Sequence, residues 1–188
     1  MKVTDVFIEG LKIIEPKIFY DERGYFFESY SELAFNNSIG QVSFVQDNES
    51  MSSRGVARGL HFQAPPSAQA KLVRCVKGEV LDIALDIRKG SETYGKFFSV
   101  LLSGEKHNQF YIPRGFAHGF IVISDIAVFQ YKCDNAYNPG SEGGISILDT
   151  EIGIDKLVRY GDLILSEKDK KYPLLRNFES PFILGVNC

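Results

Sequence analysis

Residues 79–87 alternate with a period of two, Leu81, Ile83, Leu85 and Ile87 on one side and Val80, Asp82, Ala84 and Asp86 on the other. Such a period belongs to an extended strand, whose successive side chains point to opposite faces, whereas a helix repeats about every 3.6 residues. Comparable runs rich in Val, Ile, Phe and Leu recur about every ten residues, separated by Gly, Pro, Asn and Ser, which is the spacing of short strands joined by turns. They fall at 11–15, 25–30, 43–48, 55–62, 70–76, 96–102, 109–112, 116–123 and 126–133. Helical signals are few. Ser31 can cap a short turn through Phe35, and Ser166 followed by Asp169 has the spacing of a capping box. The chain therefore reads as one all-β domain over residues 1–188, with no repeat or linker and with a more irregular C-terminal segment.

Composition narrows the class. With 44% hydrophobic and 24% charged residues among 188, the chain has the balance of a globular domain rather than a disordered or membrane-embedded one. The net charge is −3 and no basic run of five residues occurs, which argues against a nucleic-acid partner. The three cysteines, Cys75, Cys133 and Cys188, are odd in number and scattered, as expected of a protein kept in a reducing cytoplasm. The start, MKVTDVFIEGLKIIEP, lacks the apolar core of a secretory signal. The 15 Phe and 9 Tyr suit packed sheet faces or sites that stack on flat ligands.

Only three histidines, His61, His107 and His118, are available for catalysis or metal binding. Functional side chains concentrate from Arg54 to Arg74, where Arg54, Arg58, His61, Gln63, Gln69, Lys71 and Arg74 interleave with strand-forming residues. A solvated sheet face would explain the charges but not a histidine set between Leu60 and Phe62. Strict alternation puts Arg58 and His61 on opposite faces, and a bulge at Gly59 would bring them together. The order Pro113-Arg114-Gly115-Phe116-Ala117-His118 is the PxGxxH half-motif of a cupin jelly roll. Its first half-motif normally offers two histidines and a glutamate to a metal, yet here it reads His61-Phe62-Gln63 with no acidic residue before Glu79. Two histidines and a glutamine are a poor ligand set for zinc or iron, so no metal is expected and proton chemistry is favoured.

The chain resembles the dTDP-4-dehydrorhamnose 3,5-epimerase family of the cupin superfamily. The segments that carry the likeness run in order through FYDERGYFFE from Phe19, FVQDN from Phe44, RGLHFQ from Arg58, KLVR from Lys71, GEV from Gly78, DIR from Asp86, IPRGFAHGF from Ile112, YKC from Tyr131, YNP from Tyr137 and LSEKD from Leu165. The resemblance implies a cupin jelly roll (double-stranded β-helix) with a few short helices. It implies a cofactor-free isomerase that inverts C3 and C5 of dTDP-4-dehydro-6-deoxy-D-glucose on the way to dTDP-L-rhamnose, for a lipopolysaccharide or other surface glycan. Epimerisation beside a ketone needs a base on one face, an acid on the other and a partner for the enolate oxygen. The resemblance assigns the base to His61 oriented by Asp169, the acid to Tyr131, and the enolate contact to Lys71 with His118 near it. It places Arg23 and Arg58 at the diphosphate, Glu28, Gln46, Asp47 and Asn48 toward the nucleotide, Tyr137 on the thymine, and Glu142 and Lys168 in further substrate contacts.

In this family N-terminal strands cross a dimer, so a homodimer is expected, with a dTDP-sugar as the small-molecule partner and no membrane or nucleic-acid partner. A mono-epimerase or a ketoisomerase would share much of this sequence, although the presence of Tyr131 favours the double epimerase; a sugar-binding cupin without activity is the remaining alternative. Two departures stand out. Ile147 replaces a common tryptophan and Leu157-Val158 a usual Trp-Pro pair, which puts packing near the nucleotide in doubt. Residues 177–188 match nothing in the family pattern.

Overall fold

A computed structural model describes residues 1–186, without the side chain of Tyr160. Its strands are β1 (Lys2–Asp5), β2 (Lys12–Glu15), β3 (Phe19–Asp21), β4 (Gly24–Phe26), β5 (Gln46–Ser53), β6 (Ala57–Gln63), β7 (Lys71–Lys77), β8 (Glu79–Asp86), β9 (Arg88–Lys89), β10 (Phe97–Ser103), β11 (Gln109–Ile112), β12 (Phe116–Val122), β13 (Ile126–Cys133), β14 (Glu142–Gly144) and β15 (Phe182–Ile183), and the single α-helix among the described residues is α1 (Glu32–Ser38). A six-stranded sheet ordered β1-β2-β11-β7-β13-β5 faces a five-stranded sheet ordered β10-β8-β12-β6-β14. This is the cupin jelly roll expected from the sequence.

Alternation sorts the side chains into three layers. Between the sheets, Val73, Cys75, Val80, Ala84, Phe110, Phe120 and Phe129 form one core cluster. The rings of Phe120 and Phe129 stack there at 4.2 Å between centroids. The outer face of the five-stranded sheet, carrying Leu60, Ile83, Leu85 and Ile121, is covered by Ile145, Ile147, Ile152, Ile154 and Phe182 of the C-terminal segment. Helix α1 closes the third layer by laying Phe35 against Ile14, Leu72 and Tyr111 on the outer face of the other sheet. Ser31 caps α1, its hydroxyl accepting from the Ala34 amide at 3.3 Å, a contact worth about 1 kcal/mol. Strand β8 is thus buried on both faces, which explains how Asp82 and Asp86 come to be inaccessible to solvent.

Several expected boundaries move. The run 25–30 is strand only to Phe26; beyond it the ring of Phe27 packs on Tyr25 and His107. The run 43–48 becomes β5, which starts at Gln46 and continues through the polar stretch to Ser53 because its whole length pairs with β13. The helix expected to open at Ser166 is a single 3-10 turn, Asp169–Lys171, although the Ser166 hydroxyl does accept from the Asp169 amide at 3.1 Å. Ile147 is fully buried in the outer layer among Ile145, Ile152 and Ile154, so at this position the departure from the family pattern is met by apolar packing. Of the unassigned stretch, Phe182–Ile183 pairs in parallel with β9, whereas 187–188 lie outside the described residues. No helix among the described residues is long and apolar enough to cross a membrane.

Candidate active site

The bulge in β6 sets the site. Across β12, His118 is opposite His61 but Phe120 is opposite Arg58, so β6 uses three steps where its neighbour uses two. The extra residue turns Arg58 to the same cavity as His61. Only glycine fits at position 59, where φ is +117° and a Cβ would stand just 2.6 Å from the His118 carbonyl oxygen. The Gly59 amide, displaced from the ladder, approaches Asp169 Oδ2 at 3.4 Å, while Asp169 Oδ1 lies 2.6 Å from His61 Nε2. One carboxylate therefore ties the imidazole to the backbone of its own strand. An ionised carboxylate only accepts, so His61 donates from Nε2. Burial works to raise the Asp169 carboxyl, but the His61 hydrogen bond and charge with the Gly59 amide outweigh it and hold the group below its ordinary range.

The other chemical groups project from the inner faces of β7, β8, β12 and β13. A cavity of about 500 Å³ is lined by Arg58, His61, Lys71, His118, Tyr131, Lys168 and Asp169, with Ser50, Phe120 and Phe129 among the remaining walls. Lys71 lies with Nζ 5.9 Å from the Tyr131 ring centroid. Burial lowers the Lys71 pKa, while Cys133, Asp82 and Glu142 favour its charged form. Burial raises that of Tyr131, favouring the protonated phenol. A second cavity of about 310 Å³ shares His61, Lys71 and Tyr131 and adds Gln46, Asn48, Tyr137 and Glu142. In it the Tyr137 hydroxyl donates to Glu142 Oε2 at 2.8 Å, and Lys168 Nζ pairs with the same oxygen at 2.5 Å. Arg58 Nε donates to the Ser52 hydroxyl at 3.1 Å.

Three expected residues stand elsewhere in the chain. Asp47 is one step out of phase with Gln46 and Asn48, so it faces the outside of the sheet and pairs with Lys132 at 2.9 Å. Arg23 is exposed in the β3–β4 hairpin and bonded to Asp21 at 2.6 Å. Glu28 lines a separate depression with Phe19, Phe26 and Tyr30. Asp82, in contrast, is a member that motif reading missed: both its oxygens lie 3.0 Å from His118 Nε2. Its only signal is an acid between Val80 and Ala84 on a strand face that carries a second acid at Asp86. Among the described residues no three His, Cys, Asp or Glu side chains converge as metal ligands would.

Proton transfer at a carbon acidified by a neighbouring carbonyl, performed inside a jelly-roll barrel, is the class of chemistry for which these groups are equipped. The family model described as dTDP-4-dehydrorhamnose 3,5-epimerase matches residues 5–177, and the chain belongs to that family. It is 52% identical over 172 residues to the dTDP-4-dehydrorhamnose 3,5-epimerase of Escherichia coli, covering 91% of this chain and 92% of the relative. The enzyme of that name from Methanothermobacter thermautotrophicus is 50% identical over 94% of this chain and 95% of its own length. A crystal structure of the dTDP-6-deoxy-D-glucose-3,5-epimerase of Legionella pneumophila, in complex with dTDP-4-keto-L-rhamnose, superposes with a TM-score of 0.92 at 45% identity, covering 100% of this chain and 99% of that one.

Proposed function

We propose that the chain is a dTDP-4-dehydrorhamnose 3,5-epimerase, converting dTDP-4-dehydro-6-deoxy-D-glucose to dTDP-4-dehydro-L-rhamnose in dTDP-L-rhamnose biosynthesis. The observation that carries this reading is the His61–Asp169 pair at 2.6 Å on a cavity wall shared with Tyr131 and Lys71. His61 Nδ1 takes the proton from C3 or C5, and Asp169 stabilises the imidazolium that forms. Lys71, with His118 beside it, meets the negative charge that develops on the 4-keto oxygen. Tyr131 returns a proton from the opposite face, inverting the centre. Arg58 binds the diphosphate, and Gln46, Asn48, Tyr137, Glu142 and Lys168 hold the nucleotide end.

The working unit is a homodimer in the cytoplasm. Its β3–β4 hairpin exposes Phe19, Tyr20, Tyr25 and Phe26 together with Arg23, an aromatic surface suited to reaching into a neighbouring protomer's cavity, where Arg23 and Glu28 complete the site. Cys75 and Cys133 are buried free thiols, in keeping with a reducing compartment. Incubation with the substrate in D2O, followed by NMR at C3 and C5, tests the activity. Exchange at both carbons supports the double epimerase, exchange at one makes the chain a mono-epimerase, and exchange at neither sinks the enzyme reading. Sedimentation velocity tests the dimer; a monomer at micromolar concentration would remove it.

A further inference from the structure

Behind the imidazole of His61 stands Tyr172, a residue with no place in the acid–base set described above. It follows the turn Asp169–Lys171, three positions after the carboxylate, and its ring meets the His61 ring edge-on, with centroids 5.5 Å apart and planes at 66°. The slot it occupies is made by β14. Gly144 is the cross-strand partner of His61, and a Cβ on it would fall 2.6 Å from carbons of the Tyr172 ring. Where an ordinary strand residue would carry a side chain, the phenol ring lies instead.

The ring, not its hydroxyl, makes the contact that matters. The hydroxyl is buried and forms no hydrogen bond of ordinary geometry, although the Lys168 ammonium is near enough to oppose the rise in pKa that burial causes. Tyr172 is not among the wall residues of either cavity that contains His61.

We propose that Tyr172 is a positioning residue that, together with Asp169, clamps the base at two points. Asp169 fixes the direction of Nε2, and the Tyr172 ring blocks tilting of the imidazole plane, so Nδ1 stays aimed at the reacting carbon. One short turn delivers both restraints, because positions 169 and 172 lie on the same side of it. This inference rests on the reading of His61 as the base, and the two are separable by experiment.

Loss of C3 and C5 exchange in His61→Ala establishes the base; retention of exchange there would refute that assignment itself. With the base established, Tyr172→Ala is expected to lower kcat by about 10- to 100-fold, as a misplacement near 1 Å would, while KM stays within about 3-fold. Tyr172→Phe, which keeps the ring, restores most of that loss. Gly144→Ala, which pushes the ring aside without removing it, reproduces the fall in kcat. A Tyr172→Ala enzyme with unchanged kcat, or with a loss confined to KM, overturns the proposal. Should the alanine variant not fold, Tyr172→Leu against Tyr172→Phe makes the same comparison, and equal kcat in the two overturns it.

Discussion

His61 and His118 face each other across neighbouring strands, each bonded through Nε2 to an aspartate, yet the two pairs are built for different work. The His61–Asp169 pair stands at the cavity wall, its imidazole side chain 30% accessible and its carboxylate held ionised. The His118–Asp82 pair is sunk between the sheets, with the carboxylate wholly inaccessible. There burial raises the Asp82 pKa and lowers that of His118, against the attraction between them, so both groups are pushed toward their neutral forms. The same two residue types form the proposed base in one setting and a buried polar pair in the other. Access to water and the number of donors around each carboxylate make the difference.

That contrast can be broken from either side. The largest effect is expected from Asp169→Ala, which should cut the rate of solvent exchange into substrate by about 10²- to 10⁴-fold, measured by NMR in D2O. Asp82→Ala should do the reverse in stability. Removing Asp82 leaves the buried His118 without its hydrogen-bond partner, a cost of about 1–3 kcal/mol that a urea titration would read as a lowered midpoint, against a smaller cost for Asp169→Ala, whose partner His61 can turn to water. Equal stability losses would mean that the two pairs are the same device. Arg58→Ala should raise KM by about 10- to 100-fold with kcat nearly unchanged, the loss of charged hydrogen bonds to a diphosphate in steady-state kinetics.

Acid sharpens the comparison further. The folded-state pKa of Asp169 is depressed, so its contribution to stability is complete above the ordinary carboxylate value of about 3.9 and is lost as pH falls through the folded value. Thermal melts of Asp169→Asn should therefore decline less between pH 5 and pH 3 than those of the parent, pH values chosen as about one unit either side of that range. Treatment with a chelator should leave activity unchanged, the smallest effect of all.

Strands that bury one or both faces were legible in the sequence, because their alternation is imposed by the core; β11 and β13 match the expected limits, and β8 ends one residue early. A bulge at Gly59 was open in the sequence as one way to bring Arg58 and His61 together, and the register of β6 against β12 contains it. Polar β5 hid its second half, since an edge strand held by its ladder to β13 needs no hydrophobic pattern. Strand β14 reads as Glu-Gly-Gly, against strand propensity, because Phe62 and Tyr172 fill the space where its side chains would stand. Asp82 and Tyr172 carry no motif; their importance comes from contacts with residues far away in the chain. Asp47 was misplaced by treating Gln46 to Asn48 as a block, when a strand sends its middle residue to the other face.

The wrapping of the C-terminal segment around the outer sheet has a consequence for the order in which the protein becomes competent. His61 is separated from its carboxylate by 108 positions, and strands β7 to β14 are synthesised between them. On the proposed reading of His61 as the base, its carboxylate comes from the segment that also covers the outer sheet, so the acid–base pair is complete only in a chain whose C-terminal segment is docked.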